Sequence, residues 1–287
     1  MAAAPIFLLK RDISIIQMVQ SFGGCTVEQV SRRLFPTLTS SRACYRRVAE
    51  LVSKGYLSAR RLASLSGIGS GKHFLMPTPR GRGIVAAALG VRTSELKRLR
   101  ATAPRFIEHH LAVGDTRIAF EISAERSGVF TFVEWLGDRE VEVSAELEGP
   151  KGKVRVSLTP DSTCTVGLPD GRTQQFFLEQ DMATMTSRTR MKTRLHGYLV
   201  ACSHHSIPVL FVTTTAERLR ALSELALEIA QQHQLNARVI WLTTAPQLAA
   251  EDALTSPIWI IPGQSGATSV SAMMSTGMDK AAGGRVE

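Results

Sequence analysis

The chain has 287 residues, 44% of them hydrophobic and 21% charged, with a net charge of +9. That is enough for two ordinary domains, each with its own core, and it contains no run of about 18 apolar residues that would cross a membrane as a helix. The start, MAAAPIFLLKRD, is interrupted too soon by Lys10-Arg11-Asp12 for a signal peptide, so a cytoplasmic protein is expected.

The net charge is unevenly placed. Residues 1–105 hold 18 Lys and Arg against 4 Asp and Glu, whereas the remainder holds 16 against 21. A polyanion would therefore be met first by the N-terminal third. Cys25, Cys44, Cys164 and Cys202 are scattered without C-x-x-C spacing, and they read as reduced structural thiols rather than as zinc ligands or disulfides.

In chain order, Asp12–Phe22 places Ile15, Ile16, Val19 and Phe22 on one helical stripe, and Gly23-Gly24 stops it. Thr26-Val27-Glu28-Gln29 has the capping-box pattern of a second, short helix ended by Pro36. Thr39 or Ser40 is expected to cap a third helix that runs to Lys54 and closes at Gly55. Cys44, Val48, Leu51 and Val52 form its apolar side, which leaves Arg42, Tyr45, Arg46 and Ala49 exposed. Arg60-Arg61, a Gly/Ser-rich turn over Ser66–Lys72, and an extended His73–Met76 segment predict two strands joined by a basic turn, followed by Thr78-Pro79-Arg80-Gly81.

These elements together look like a winged helix-turn-helix over residues 10–90, whose third helix would enter the DNA major groove. On that reading Arg42 and Arg46 are base readers and Tyr45 a base or sugar contact. Arg47, Lys54, Arg60, Arg61 and Lys72 are phosphate anchors, and double-stranded DNA is the partner. Thr93–Arg100 reads as a basic helix within a connector over 91–104.

A second domain is expected over 105–261. A helix runs from Arg105 to Ser127 and strands cover 129–135, 153–161 and 174–181. A helix over 186–202, a strand over 208–213, a helix over 216–232 and a strand over 238–242 follow. This order is that of a restriction-endonuclease-like core, so the fold class is α/β with a mixed sheet, α+β overall. Leu168-Pro169-Asp170-Gly171-Arg172-Thr173 is a hairpin turn, and small, polar residues 262–287 form a disordered tail.

Phe176-Phe177-Leu178-Glu179-Gln180-Asp181 ends on two carboxylates that a strand points to the same side as Phe177. With Asp161 behind Pro160 and the helical acid Glu108, they are candidate oxygen ligands for Mg²⁺ or Mn²⁺, which can activate water at a phosphodiester. The bland alternative is an ion-pair network in which Glu179 and Asp181 meet Lys192, Arg188 or Arg194. His109 and His110 read as a packed helical histidine and its solvent neighbour, and Tyr198 as a packed residue with a surface hydroxyl.

Over roughly residues 12–245 the chain resembles the replication-relaxation family. The resemblance is carried by the winged-helix pattern and by Glu108-His109-His110-Leu111-Ala112-Val113-Gly114-Asp115. Further on it rests on Pro160-Asp161, and on the Phe176–Asp181 stretch followed by Thr184, Lys192 and Tyr198. The family implies accessory roles in replication, relaxation or mobilisation of a plasmid or mobile element, with a relaxase or replication protein as partner and a homodimer as a possible assembly. Its second domain is similar to PD-(D/E)xK nucleases, which implies catalytic roles for Asp161, Glu179 and Asp181. The pattern departs at Asp181, where such a nuclease carries Lys, and Lys192 is the candidate replacement. A metal-dependent nicking nuclease and a transcription regulator are the alternatives to a DNA-binding accessory protein.

Overall fold

The structure is a computed structural model, and it describes residues 8–62, 72–96, 106–137, 140–149, 152–183, 187–205 and 207–275. Most of the basic turn after Arg61, the end of the basic connector, Thr184 and the last twelve residues lie outside the described residues. The chain forms two compact units, Met1–Gly114 and Asp115–Glu287.

The first unit begins with α1 (Lys10–Ser21), β1 (Cys25–Thr26), α2 (Val27–Leu34) and α3 (Leu38–Ser53). It continues with β2 (Leu57–Arg61), β3 (His73–Pro77) and α4 (Pro79–Leu89). Its three strands form an antiparallel sheet in the order β1-β3-β2. The apolar stripes expected of α1 and α3 are the core: Ile15, Ile16, Val19, Cys44, Val48 and Leu51 are buried. The Thr26–Gln29 box forms at both ends, Gln29 N donating to Thr26 Oγ1 at 3.2 Å and Thr26 N to Gln29 Oε1 at 3.0 Å.

Helix α3 starts earlier than expected. Thr37, extended after Pro36, is the cap and accepts from Ser40 N at 3.2 Å, so Ser40 is the third helical residue rather than the cap. Thr78-Pro79 opens α4, with Thr78 Oγ1 accepting from Gly81 N and Pro79 at the first helical position, where its missing N–H has no consequence. Gly81 is required there, since a Cβ would stand 2.2 Å from the Tyr56 carbonyl oxygen.

Helix α5 (Ile107–Ser127) contributes residues to both units. In the first, His110 Nε2 lies 2.9 Å from the Gly24 carbonyl and its ring meets Phe74 edge-on.

The second unit continues with β4 (Thr131–Gly137), β5 (Val143–Gly149), β6 (Gly152–Leu158), β7 (Ser162–Gly167), β8 (Thr173–Asp181) and α6 (Arg188–His205). Then come β9 (Val209–Thr213), α7 (Ala216–Gln232), β10 (Ile240–Thr244), α8 (Ala245–Ala250), β11 (Trp259–Ile260), β12 (Ala267–Thr268) and α9 (Val270–Ser275). The mixed α/β sheet has the order β12-β11-β10-β9-β8-β7-β4. Strands β8, β9 and β10 run parallel, and the remaining pairs are antiparallel.

Two expectations change. The segment 153–158 is not in the main sheet: it pairs with β5 in a separate hairpin whose Ala145 and Leu147 pack on Ala201 of α6. The strand that joins β4 to β8 is Ser162–Gly167, almost wholly buried; its small side chains give no hydrophobic run, so its burial on both faces is not announced by composition. The Leu168–Thr173 turn links β7 to β8 as expected, with Gly171 at φ +85°.

Composition also assigned everything after Ile261 to a disordered tail, yet β12 and α9 lie there. Strand β12 pairs with β11, Val270 is buried, and Ser271 N donates to the Leu254 carbonyl. Backbone pairing, rather than apolar periodicity, holds this segment.

The sheet separates two apolar layers. On one face Phe177 and Phe211 pack with Leu195, Tyr198 and Leu199 of α6 and Leu222 and Ile229 of α7. On the other, Phe176 meets Trp241, and Gln180 Oε1 accepts from Thr116 of α5 at 3.1 Å.

Candidate functional site

Strand alternation puts Glu179 and Asp181 on the face covered by α6 and α7. Both are nearly closed off, with side chains 6% and 7% exposed. A buried carboxylate must be paired or protonated, and the structure supplies a guanidinium to each. Arg194 Nη2 stands 2.5 and 2.6 Å from the two oxygens of Glu179 and also donates to the Thr159 carbonyl at 3.2 Å. Tyr198, fully buried, donates its hydroxyl to Glu179 Oε1. Asp181 is held by Arg218 through Nε at 2.7 Å and Nη2 at 3.2 Å.

Asp161 closes the cluster from the loop before β7. Its N–H donates to the Leu178 carbonyl and its Oδ2 accepts from Gln180 N at 2.7 Å, so it is clamped to the backbone of β8 on either side of Glu179. Burial, and then the negative charge of Asp161, push the Glu179 carboxyl up to about 7 against the pull of Arg194 and Tyr198. The Tyr198 hydroxyl is likewise pushed up, by burial first and by Glu179 second.

Sequence reasoning and structure part over the cation. Lys192 does not turn toward Glu179: its Nζ lies 3.3 Å from Gln232 and 3.5 Å from Glu228, on α7. Arg188 also meets Glu228, at 3.3 Å. The Tyr198 hydroxyl is not at the surface. A usable signal was present, since Arg194 and Tyr198 are four apart on α6 and share one helix face. Arg218, in the first turn of α7, had no comparable signal.

The four acids proposed for Mg²⁺ or Mn²⁺ do not form a ready seat. Glu108 belongs to the first unit, and the oxygens of Glu179 and Asp181 are engaged by the chain's own donors. Among the described residues, no group of three or more His, Cys, Asp or Glu side chains is arranged to hold a metal ion. The arrangement as it stands does not fit a divalent cation.

The first unit presents a different surface. Arg42, Tyr45, Arg46 and Ala49 are all exposed along α3, opposite the buried Cys44 and Val48. Tyr45 donates its hydroxyl to Glu28 of α2 at 3.1 Å, which fixes the ring between the two arginines. Arg60, Arg61 and Lys72 are exposed on the β2–β3 hairpin, and Lys54 is half-buried at the end of α3. Arg47 is placed elsewhere: it binds both oxygens of Asp12, a residue only 1% exposed, and lies 2.5 Å from Glu50. Its guanidinium ties α3 to α1 instead of standing out as a phosphate anchor.

A family model described as Replication-relaxation matches residues 16–207. That span takes in the α3 face, the start of α5, Asp161, Glu179, Asp181, Arg194 and Tyr198. No curated protein matches the chain, and no solved structure does.

Proposed function

Because the chain belongs to the replication-relaxation family, we propose that it is a sequence-specific, double-stranded-DNA-binding accessory protein in the replication, relaxation or mobilisation of a plasmid or mobile element. The first unit serves as a winged helix-turn-helix: the element order α1-β1-α2-α3-β2-β3 and the β1-β3-β2 sheet support that reading. The observation that carries it is the exposed Arg42–Tyr45–Arg46 face of α3 in the strongly basic N-terminal third. Arginine reads guanine by a bidentate bond in the major groove, and two arginines one helical turn apart can address neighbouring base pairs.

The second unit is then a scaffold or docking module for a relaxase or replication protein. A nuclease reading requires Asp161, Glu179 and Asp181 to be available to Mg²⁺, whereas two of the three are paired with arginines.

The test selects a duplex from a randomised library with the full chain, then measures its affinity by fluorescence anisotropy. Arg42→Ala and Arg46→Ala should each weaken binding by about 1–3 kcal/mol and relax specificity, with unchanged melting temperature. Unaltered affinity in both variants would remove α3 from the interface. Supercoiled plasmid incubated with Mg²⁺ or Mn²⁺ should stay closed; nicking that disappears in Asp161→Ala and Glu179→Ala would reinstate the nuclease.

A further inference from the structure

We propose that the guanidinium of Arg194 is a built-in cation, seated where Glu179, Asp161 and the Thr159 carbonyl would otherwise hold a hard divalent metal, and that vacating this seat opens it to Mn²⁺. The inference goes beyond DNA recognition and concerns only the second unit.

Three observations support it. The donors converging on Arg194 are all oxygens: both of Glu179, at 2.5 and 2.6 Å, and the Thr159 carbonyl at 3.2 Å. Two carboxylates and a carbonyl are what Mg²⁺ or Mn²⁺ takes from a protein while keeping several waters. Asp161, clamped through Gln180 N and Leu178 O, adds its negative charge at the same place and acts on Glu179 and Arg194 alike. Finally, the guanidinium is an incomplete guest. Its Nε is buried and has no hydrogen-bond partner among the described residues, although a fork-shaped donor satisfies its N–H groups in a site shaped for it.

The seat also opens outward. The Arg194 side chain is 29% exposed whereas that of Glu179 is 6% exposed, so removing the arginine exposes the carboxylate to water and ions. Tyr198 donates to Glu179 Oε1 from the buried side and holds it in place when the arginine is gone.

The experiment uses the full chain and Mn²⁺ as probe. Loss of the free-ion electron paramagnetic resonance signal measures binding to wild type, Arg194→Ala, Arg194→Gln and Arg194→Gln combined with Glu179→Gln. The two single variants should bind one Mn²⁺ at least tenfold more tightly than wild type, and the combined variant should lose that gain. If Arg194→Ala does not fold alone, Arg194→Gln, which keeps the stem and removes the charge, carries the test: Mn²⁺ should raise its melting temperature and leave that of wild type unmoved. Equal Mn²⁺ binding by wild type and Arg194→Gln, or a gain that survives Glu179→Gln, overturns the proposal. DNA affinity of Arg194→Gln, measured separately, reports on the first unit and is expected to match wild type.

Discussion

Glu179 is a carboxylate that the fold both buries and pairs. Its pKa in the folded chain, about 7, lies above the ordinary value of 4.5, so between those limits the folded state holds more protons than the unfolded one. Stability from this group is complete below about pH 4.5 and is lost as pH rises through 7. Melting temperature measured across pH 4.5–7 should therefore fall with pH more steeply in wild type than in Glu179→Gln, which keeps the hydrogen-bonding shape and does not titrate. Identical slopes would mean that the Arg194 contact already holds the carboxyl ionised at acid pH. The cysteines illustrate the simpler case: all four are free and buried, and burial pushes Cys44 up to about 11 and Cys202 up to about 12. The reading of them as structural thiols needed only their spacing.

At the scale of elements, α3 carries two separate tasks on two faces. Its outward face holds Arg42, Tyr45 and Arg46, while Arg47, one residue on, turns back to α1. Arg47→Ala leaves Asp12 buried without a countercharge, a loss of about 3–5 kcal/mol by analogy with other broken buried pairs. Urea unfolding should show it directly, whereas Arg42→Ala and Arg46→Ala should leave the midpoint unmoved. A stable Arg47→Ala variant with weakened DNA binding would return Arg47 to the interface. Helical periodicity identified the two faces correctly but could not tell Arg46 from Arg47, because both are long, cationic and adjacent. Strand identity was legible where apolar runs are long, as at β8 and β9, and failed at β7, whose buried residues are mostly small or polar.

Across the whole molecule, charge is divided along the chain: the basic excess lies in residues 1–105 and the acidic excess beyond them. DNA affinity should then fall linearly in log–log form with salt, each phosphate contact contributing about 0.9 to the slope. Arg60 and Arg61 are adjacent on β2 and so point to opposite sides of its sheet. Replacing both by Ala should therefore lower the salt slope by about 0.9 rather than about 1.8. A slope unchanged from wild type would exclude the β2–β3 hairpin from the footprint. The described helices include none long and apolar enough to cross a membrane, in keeping with the absence of long apolar runs.

Sequence alone determined the helices of the first unit and the Thr26–Gln29 box. It also determined the turn between β7 and β8, and the common face of Phe177, Glu179 and Asp181. Each depends on contacts within a few residues, where helical or strand periodicity dictates direction. Only the tertiary structure decided which cation meets which acid. Lys192 and Arg194 are two residues apart and therefore about 200° apart around α6; packing on the sheet turns Arg194 to Glu179 and sends Lys192 to α7. Arg218 reaches Asp181 from a helix 37 residues further on, at a distance no local pattern encodes. The acidic end of β8 was visible in the sequence, but its closure by two arginines is a consequence of how the helices lie on the sheet.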